Sequence, residues 1–488
     1  MESGINNYIK FQKKLSFEND FPLVVDLDGT LIKTDLLYEG AIILLRKNPL
    51  YIFKFLLWLL KGKAYLKNRI FKIAPLQYES LPYNMQLLKF LEGQSSRGRR
   101  LILATASLKA HAQEIAKIYP IFDEVFGTEN VNLKGRHKLK LLVNQFGALK
   151  FDYIGDSRAD LKIFPSSRYS YLVNPSRSLE NKTEKISHLK HTWNSKKLHV
   201  KDYIKAARVY QWIKNVLIFV PLFTSHSLNS LNLLLQAVAA FFAFSFAASA
   251  GYIINDLFDL NSDRSHPRKR LRPFASGKLS IATGVILTFI LLAVGLLIAS
   301  QLNPQFLIAL IIYFVFSFSY SLYLKKIVLY DVFILALLYS SRVIAGGLVT
   351  NIAISFWLIA FSTLLFLSLA FVKRYSELMK IKGEGSLKNR GREYGMQDLN
   401  LLQVMGITTG FLSIVVFSLY IESPEVSRLY SYPKVLWGIS LLFLFWISRI
   451  WVITNRGEMT DDPIVFAVKD ASSYLTFVLI GVLVWLAM

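Results

Sequence analysis

From about residue 205 to its end, this chain of 488 residues repeats one pattern, an apolar run of about twenty residues followed by a short polar connection. As a helix, a run of that length crosses the roughly 30 Å hydrocarbon layer of a bilayer. Backbone amides in lipid must be satisfied within their own segment, so the second half can fold only as an all-α membrane bundle. About nine runs are legible, at roughly 205–224, 231–256, 280–300, 304–323, 328–348, 352–373, 400–420, 434–453 and 470–487. Composition agrees. Hydrophobic residues make up 53% of the chain and the mean hydropathy is +0.38, too apolar for a soluble protein of this size.

A net charge of +24 suits nucleic-acid binders, but here the cations lie in loops between apolar runs and in the N-terminal part. That placement favours anionic lipid and phosphorylated substrates over nucleic acid. Alternate connections carry Arg264, Arg268, Lys269, Arg270 and Arg272, then Lys325 and Lys326, then Lys373, Arg374, Lys380, Lys382, Lys388, Arg390 and Arg392, then Arg456. The connections at 225–230, 301–305 and 350–354 have neither Lys nor Arg, and only 422–434, with Arg428 and Lys434, departs from the rule. The positive-inside bias therefore predicts a multi-pass protein of the cytoplasmic membrane with the basic loops inside and the C-terminus outside. Met1 to Ser16 is polar, without the apolar core of a signal peptide, so the first domain is expected in the cytoplasm. The absence of cysteine excludes disulfides, thiolate zinc sites and a cysteine nucleophile.

The densest chemistry follows the 24-residue apolar stretch Leu231 to Ile254. There Asn255, Asp256, Asp259 and Asp263 precede Arg264, His266, Lys269, Arg270 and Arg272. On one helix the three aspartates fall on one face, so their oxygens can converge on a hard cation. Mg²⁺ keeps few protein ligands and takes phosphate oxygens for the rest, and the cations downstream suit a polyphosphate.

This segment resembles the first aspartate-rich motif, NDxxDxxxD, of the UbiA family of membrane prenyltransferases. The tail His266 to Gly277, HPRKRLRPFASG, is similar to the branch of polyprenyl-phosphate (decaprenyl-phosphate type) phosphoribosyltransferases. So are Gln211-Trp212-Ile213-Lys214-Asn215, Tyr320-Ser321 with Lys325-Lys326, Arg342 with Gly346-Gly347, Lys373 to Leu378, and Asp462-Pro463 with Lys469-Asp470. The resemblance runs from about Lys201 to the C-terminus. It implies phosphoribosyl diphosphate and a polyprenyl phosphate as substrates and Mg²⁺ on Asp256, Asp259 and Asp263, with Asp256 and Asp259 essential to catalysis. Lys214, Asn255, Arg264, Lys269, Arg272, Lys325, Lys326, Arg342, Lys373 and Arg374 are the substrate-binding candidates. Members that use prenyl diphosphates carry a second aspartate cluster, where this chain has Asp331 alone, which can also be read as a helix cap.

The N-terminal part carries a separate chemistry. Apolar strand-like runs end at Asp26-Leu27-Asp28-Gly29-Thr30, at Thr105, and at Gly155-Asp156-Ser157-Arg158-Ala159-Asp160. Aspartates and threonine at strand C-termini are what a doubly wound parallel sheet uses to build a site. Over about Phe21 to Asn174 the chain resembles the haloacid dehalogenase-like superfamily, in its phosphoserine-phosphatase-like branch. The resemblance makes Asp26 the nucleophile and Asp28 the general acid and base, with Thr105 and Lys138 on the phosphoryl group. Lys138 is preferred to Lys134 because it opens a helix. Asp26, Asp28, Asp156 and Asp160 are the metal candidates, again for Mg²⁺.

The organisation expected is a two-domain chain. Residues 1–175 form an α/β doubly wound domain with a helical cap at about 36–97, residues 176–200 a linker, and residues 201–488 a transmembrane transferase bundle. Within the cap, Leu50 to Lys61 is apolar and flanked by Arg46, Lys47 and Lys63, either an ordinary buried helix or one lying in the membrane interface. The activity expected is transfer of 5-phosphoribose to a polyprenyl phosphate, followed by removal of the 5-phosphate, for cell-envelope glycan synthesis. Two rivals stay open: a prenyltransferase acting on an aromatic acceptor, and an N-terminal domain that binds phosphate without turnover. Oligomeric state, a homo-oligomer included, is not legible.

Overall fold

A computed structural model describes residues 21–129, 132–194, 198–383, 393–459 and 462–488. Met1 to Ser16 and the loop cations Lys388, Arg390 and Arg392 lie outside them. The chain divides into two compact units: one runs to Ala206 and resumes over Asp256–Ile286, and the other comprises Ala207–Asn255 and Leu287–Met488.

The first unit is built on a six-stranded sheet in the order β3-β2-β1-β4-β5-β6. Its strands are β1 Leu23–Val25, β2 Leu101–Leu108, β3 Glu124–Thr128, β4 Asp152–Gly155, β5 Ser170–Val173 and β6 Leu189–Trp193, all paired in parallel. Between β1 and β2 come the cap helices α1 Leu36–Lys47, α2 Tyr51–Leu60 and α3 Lys63–Ile73, then α4 Met85–Ser95. After β2 follow α5 Lys109–Ile118, α6 Arg136–Phe146 and α7 Arg177–Ile186. Alternation along each strand sends Val25, Leu103 and Ile154 to a core shared with α4 and α5, and Val24, Ile102 and Tyr153 to one shared with α6 and α7. Both faces are covered, so the strands read as continuous apolar runs. At the start of β4, Asp152 is fully buried and ion-paired with Arg99 and Arg168.

The expected linker is largely structured. Ser176 caps α7 by accepting from the Leu179 amide at 3.2 Å, and β6 pairs with β5. Few apolar residues mark this stretch because only Leu179 and Thr183 of α7 are buried and β6 lies at the sheet edge.

Of the nine spans expected in the second half, length and apolarity show seven or eight. Among the described residues, seven helices are long and apolar enough to cross a membrane: Leu231–Phe258, Ile281–Ser300, Pro304–Leu322, Tyr330–Thr350, Phe356–Lys380, Met396–Ile421 and Pro433–Asn455. The pair Pro463–Lys469 and Ala471–Ala487, bent by 80°, makes an eighth if it counts as one span. The run expected at 205–224 is a 3₁₀ helix, Val209–Phe219, followed by the short helix Val220–Thr224. It buries the polar residues Gln211, Lys214 and Asn215. At Gly346 a Cβ would lie 2.0 Å from the Ile218 carbonyl oxygen, so only glycine lets this segment pack against helix Tyr330–Thr350.

Candidate active sites

The first site lies at the C-terminal edge of β1, where the strand order reverses between β2 and β4. Asp26 leaves β1 with its Oδ1 accepting from Lys138 Nζ at 2.7 Å. Lys138, near the start of α6, also donates to the Ala104 carbonyl and the Tyr153 hydroxyl, each at 3.1 Å. Tyr153 passes the connection on by donating to Asp160 Oδ1 at 2.8 Å, while Ser157 holds Asp160 Oδ2 through its amide and hydroxyl. Asp156 accepts from Thr30 at 3.4 Å. A Cβ at Gly29, whose φ is +80°, would sit 2.1 Å from Asp156 Oδ2. Glycine is therefore required for the loop after Asp26 to pass beneath Asp156.

Carboxylate oxygens of Asp26, Asp156 and Asp160 lie within 4.8 Å of one another. Burial pushes Asp26 up to about 6, with Lys138 pulling down and Asp160 pushing further up. Burial and the charges of Asp26 and Asp160 raise Asp156 well above the usual carboxylate range. Lys138 stays protonated, because Asp26 and Asp160 outweigh the opposing effect of its burial. Carboxylates this close together fit a divalent cation of the Mg²⁺ type, which would rest on Asp26 and Asp156 and relieve their mutual repulsion, with Asp160 fastened in place by Tyr153 and Ser157.

Asp28, expected among the ligands, points elsewhere. Its Oδ1 accepts from the Leu36 amide of α1 at 3.0 Å. Its Oδ2 accepts from Ser107 at 2.6 Å and Thr105 at 3.3 Å. Burial, then Asp35, raise it to about 6, a value suited to a group that gives and takes a proton near neutrality. Sequence reasoning passed over Ser107, Tyr153 and Lys67. Lys67 of α3 donates to the Ala106 carbonyl at 3.4 Å, and its charge bears on Asp28.

The second constellation begins in the same unit. The aspartates do not share one helical face as expected, because helix Leu231–Phe258 ends just before Asp259, which starts the short helix Leu260–Arg264. Asp256 and Asp263, both nearly buried, are bridged by Arg272 Nη1 at 3.1 and 2.7 Å. Asp259 pairs with Arg46 of α1 at 3.3 Å. Among the described residues only Asp26, Asp156 and Asp160 meet as three carboxylates in metal-binding range. Arg264 turns to Glu39 of α1, at 3.1 and 2.6 Å, and Lys269 is exposed. Burial raises Asp263, against the pull of Arg272.

In the second unit, Lys214 is ion-paired with Asp462, with Lys373 Nζ 4.0 Å from the same carboxylate and the Tyr339 ring 5.4 Å from Lys214. Asn255 accepts from Lys325 at 3.0 Å, and Lys326 is exposed. Arg342 is occupied, donating to Asn215 at 2.8 Å, to the Tyr313 hydroxyl at 3.0 Å and to the Leu338 carbonyl. Arg374 is buried against Asp331 and Glu377, and Asp331 also accepts from Tyr394 at 2.6 Å. Asp331 thus anchors a buried ion pair, while Leu329 holds the cap position.

The chain thus joins an α/β domain that carries an acid–lysine site to a set of membrane-length helices, the architecture of an integral membrane enzyme with a second, α/β domain. Residues 216–466 match the UbiA prenyltransferase family, and the chain belongs to it. It is 36% identical over 468 residues to the uncharacterized protein y4nM of Sinorhizobium fredii, covering 95% of this chain and 90% of that one. It is 33% identical over 287 residues to a decaprenyl-phosphate phosphoribosyltransferase of Mycolicibacterium smegmatis, covering 57% and 89%. Among solved structures, a UbiA homolog from Archaeoglobus fulgidus bound to GPP and Mg²⁺ covers 58% of this chain and 99% of its own at 17% identity and TM-score 0.46. A HAD family hydrolase from Salmonella enterica, which the N-terminal region resembles, covers 38% and 76% at 16% identity and TM-score 0.28.

Proposed function

We propose that the membrane domain transfers 5-phosphoribose from phosphoribosyl diphosphate to a polyprenyl phosphate, and that the N-terminal domain then removes the 5-phosphate. The observation that carries the first half is the state of Asp331. With Arg374, Tyr394 and burial around it, it does not offer the second carboxylate cluster that use of a prenyl diphosphate calls for. Likeness to decaprenyl-phosphate phosphoribosyltransferases supports the same donor and acceptor. In the transfer, the bond from the anomeric carbon to diphosphate breaks and a bond from that carbon to a lipid phosphate oxygen forms. Asp256, Asp259 and Asp263 would hold Mg²⁺ only once substrate phosphates draw Arg272 and Arg46 off them, and the ion would then supply positive charge to the leaving diphosphate. Arg272 and Lys269 stand beside them as further cations. Lys214, Lys373, Lys325 and Lys326 are the lysine candidates for phosphate oxygens, while Arg342 and Arg374 are held among several buried groups.

In the N-terminal site, Asp26 attacks the phosphorus in line and Asp28 gives its proton to the departing ribose oxygen. Asp28 then takes a proton from water as that water attacks the aspartyl phosphate, releasing inorganic phosphate. Lys138 and Thr105 hold the phosphoryl oxygens. Mg²⁺ on Asp26 and Asp156 supplies charge neutralisation when bound.

Topology follows from parity. Arg264 pairs with Glu39 and Lys278 with Asp202, so the N-terminal domain and the aspartate-rich loop lie on one side of the membrane. The chain between them must cross an even number of times. Helix Leu231–Phe258 is one crossing and Val209–Thr224 the other. Eleven residues at about 2.0 Å and five at about 1.5 Å reach roughly the thickness of the hydrocarbon layer. This reading counts nine crossings and puts the basic loops in the cytoplasm. Mass spectrometry of lipids made by the purified protein tests the transfer. Phosphoribosyl diphosphate with polyprenyl phosphate should give a pentose-linked lipid, and product from a prenyl diphosphate and an aromatic acid instead would reverse the assignment.

A further inference from the structure

Helix α2 presents two unlike faces. Tyr51, Phe55 and Trp58 turn inward, their rings 5.9–6.2 Å apart, packing with Leu66 against Leu44 and Ile70. The opposite face carries Ile52, Phe53, Leu56, Leu57 and Leu60, with Phe53 62%, Leu57 61% and Leu60 85% exposed. No residue of α2 is buried. Ten residues rise about 15 Å, half a hydrocarbon layer, so the helix cannot span a bilayer. Along the cap the sequence carries charge of one sign, with Arg46 answered by Asp259 from the aspartate-rich loop. From residue 40 to residue 78 there is no Asp or Glu, while Arg46, Lys47, Lys54, Lys61, Lys63, Lys67, Arg69 and Lys72 supply eight cations.

We propose that this face of α2 is the membrane-docking surface of the phosphatase cap, seated at the boundary of headgroups and acyl chains in an anionic leaflet. A second protein as occupant does not account for the one-signed charge. Anionic headgroups do, and lysines at both ends of an apolar face are the pattern of an interfacial helix. The same chain crosses a bilayer, so the surface is at hand. From α2 the chain turns at Gly62 into α3, whose Lys67 reaches the Ala106 carbonyl beside Asp28 and Thr105. A docked α2 therefore brings the entrance of the phosphatase site to the layer where a lipid-borne phosphate ester resides. This rests on the phosphatase reading above and names its substrate class as a phosphate carried on a membrane lipid.

The chain has no cysteine, so single labels are clean. Full-length Phe53→Cys and Leu57→Cys, labelled with an environment-sensitive fluorophore in nanodiscs of phosphatidylglycerol and phosphatidylcholine, should be quenched by lipids with a nitroxide at shallow acyl depth. A label at Lys89→Cys, exposed on α4, should not. Equal quenching at all three positions, or none at Phe53 and Leu57, overturns docking. Pyrene excimers between copies labelled at Leu57 overturn it in favour of a second chain. In activity, Leu56→Glu with Leu57→Glu should cut hydrolysis of the lipid-borne phosphoribose by at least about tenfold and leave p-nitrophenyl phosphate hydrolysis unchanged. Unchanged hydrolysis of both esters overturns the delivery role. If the double variant loses both activities the cap has unfolded, and Phe53→Ser, which adds no charge, is read in the same pair of assays. A wild type that hydrolyses neither ester defeats the phosphatase reading, while the quenching result stands on its own.

Discussion

Arg264 and Glu39, 225 residues apart, form a two-pronged ion pair in which the guanidinium donates to both carboxylate oxygens at 3.1 and 2.6 Å. Only 4% and 2% of the two side chains is exposed. Thr34 donates to the same carboxylate at 2.7 Å, and Arg264 donates also to the Ala275 carbonyl. The pair ties the aspartate-rich loop to α1, the helix whose first amide holds Asp28. Arg264, a phosphate-ligand candidate by its place in the motif, has its guanidinium on Glu39.

Removing one partner strands the other. Arg264→Ala should destabilise the first unit by about 3–5 kcal/mol, the cost of an uncompensated buried charge. Glu39→Ala with Arg264→Ala should cost clearly less than the two single changes added together. Thermal unfolding of the four proteins checks this. Additive losses would mean that the pair contributes nothing.

The aspartate-rich loop should separate the two chemistries. Asp256→Asn and Asp259→Asn remove ligand charge without core volume, so transfer should fall at least about a thousandfold while p-nitrophenyl phosphate hydrolysis persists. Arg342→Gln should instead lower thermal stability and yield, since its partners are Asn215, Tyr313 and a backbone carbonyl. A rise in KM for phosphoribosyl diphosphate at unchanged stability would return Arg342 to the substrate.

At the Asp26 site, metal binding and pH should be linked. Asp26 and Asp28 titrate near 6 when folded without metal, above their unfolded value near 3.9. Between those values the native state binds more protons, so stability is lost as pH rises from about 4 through 6. At pH 7.5 the ionised cluster gains most from Mg²⁺, which should raise the unfolding midpoint by on the order of 5 °C. At pH 5 that shift should nearly vanish, and Asp156→Asn should reduce it at pH 7.5. A Mg²⁺ shift independent of pH contradicts the cluster as the metal site.

The nine-crossing topology is open to labelling. Single cysteines at Ser262 and Ser230 should react from opposite faces of sealed vesicles, because helix Leu231–Phe258 lies between them. Reaction of both from the outside would contradict it.

What the sequence made legible was local. Asp26 and Asp156 follow apolar strands, Thr105 lies within one that runs on to Leu108, Lys138 lies near the start of a helix, and the membrane helices announce themselves by length. Ser107 was within reach, two residues from Thr105 on the same strand face. Other features depend on partners far along the chain. Nothing near Arg342 announces Asn215, 127 positions earlier, and helical spacing does not reveal that the chain breaks at Asp259 and puts Arg272 between Asp256 and Asp263. Strand β6, Leu-Lys-His-Thr-Trp, sits at a sheet edge, where polar residues erase the apolar signature. The segment 205–224 was apolar enough to be noticed, but neither its 3₁₀ geometry nor its close approach to Gly346 is written in its own spacing.

The central claim is that two active sites in one chain act in sequence on one lipid. Purified wild-type and Asp26→Asn proteins, given Mg²⁺, polyprenyl phosphate and phosphoribosyl diphosphate, are compared by mass spectrometry of their lipid products. Wild type should yield polyprenyl-phosphoryl ribose, and Asp26→Asn should accumulate the 5-phosphorylated form, about 80 Da heavier, because no neighbouring group replaces the aspartyl nucleophile. Identical products from the two proteins would contradict sequential action and leave the phosphatase with another substrate.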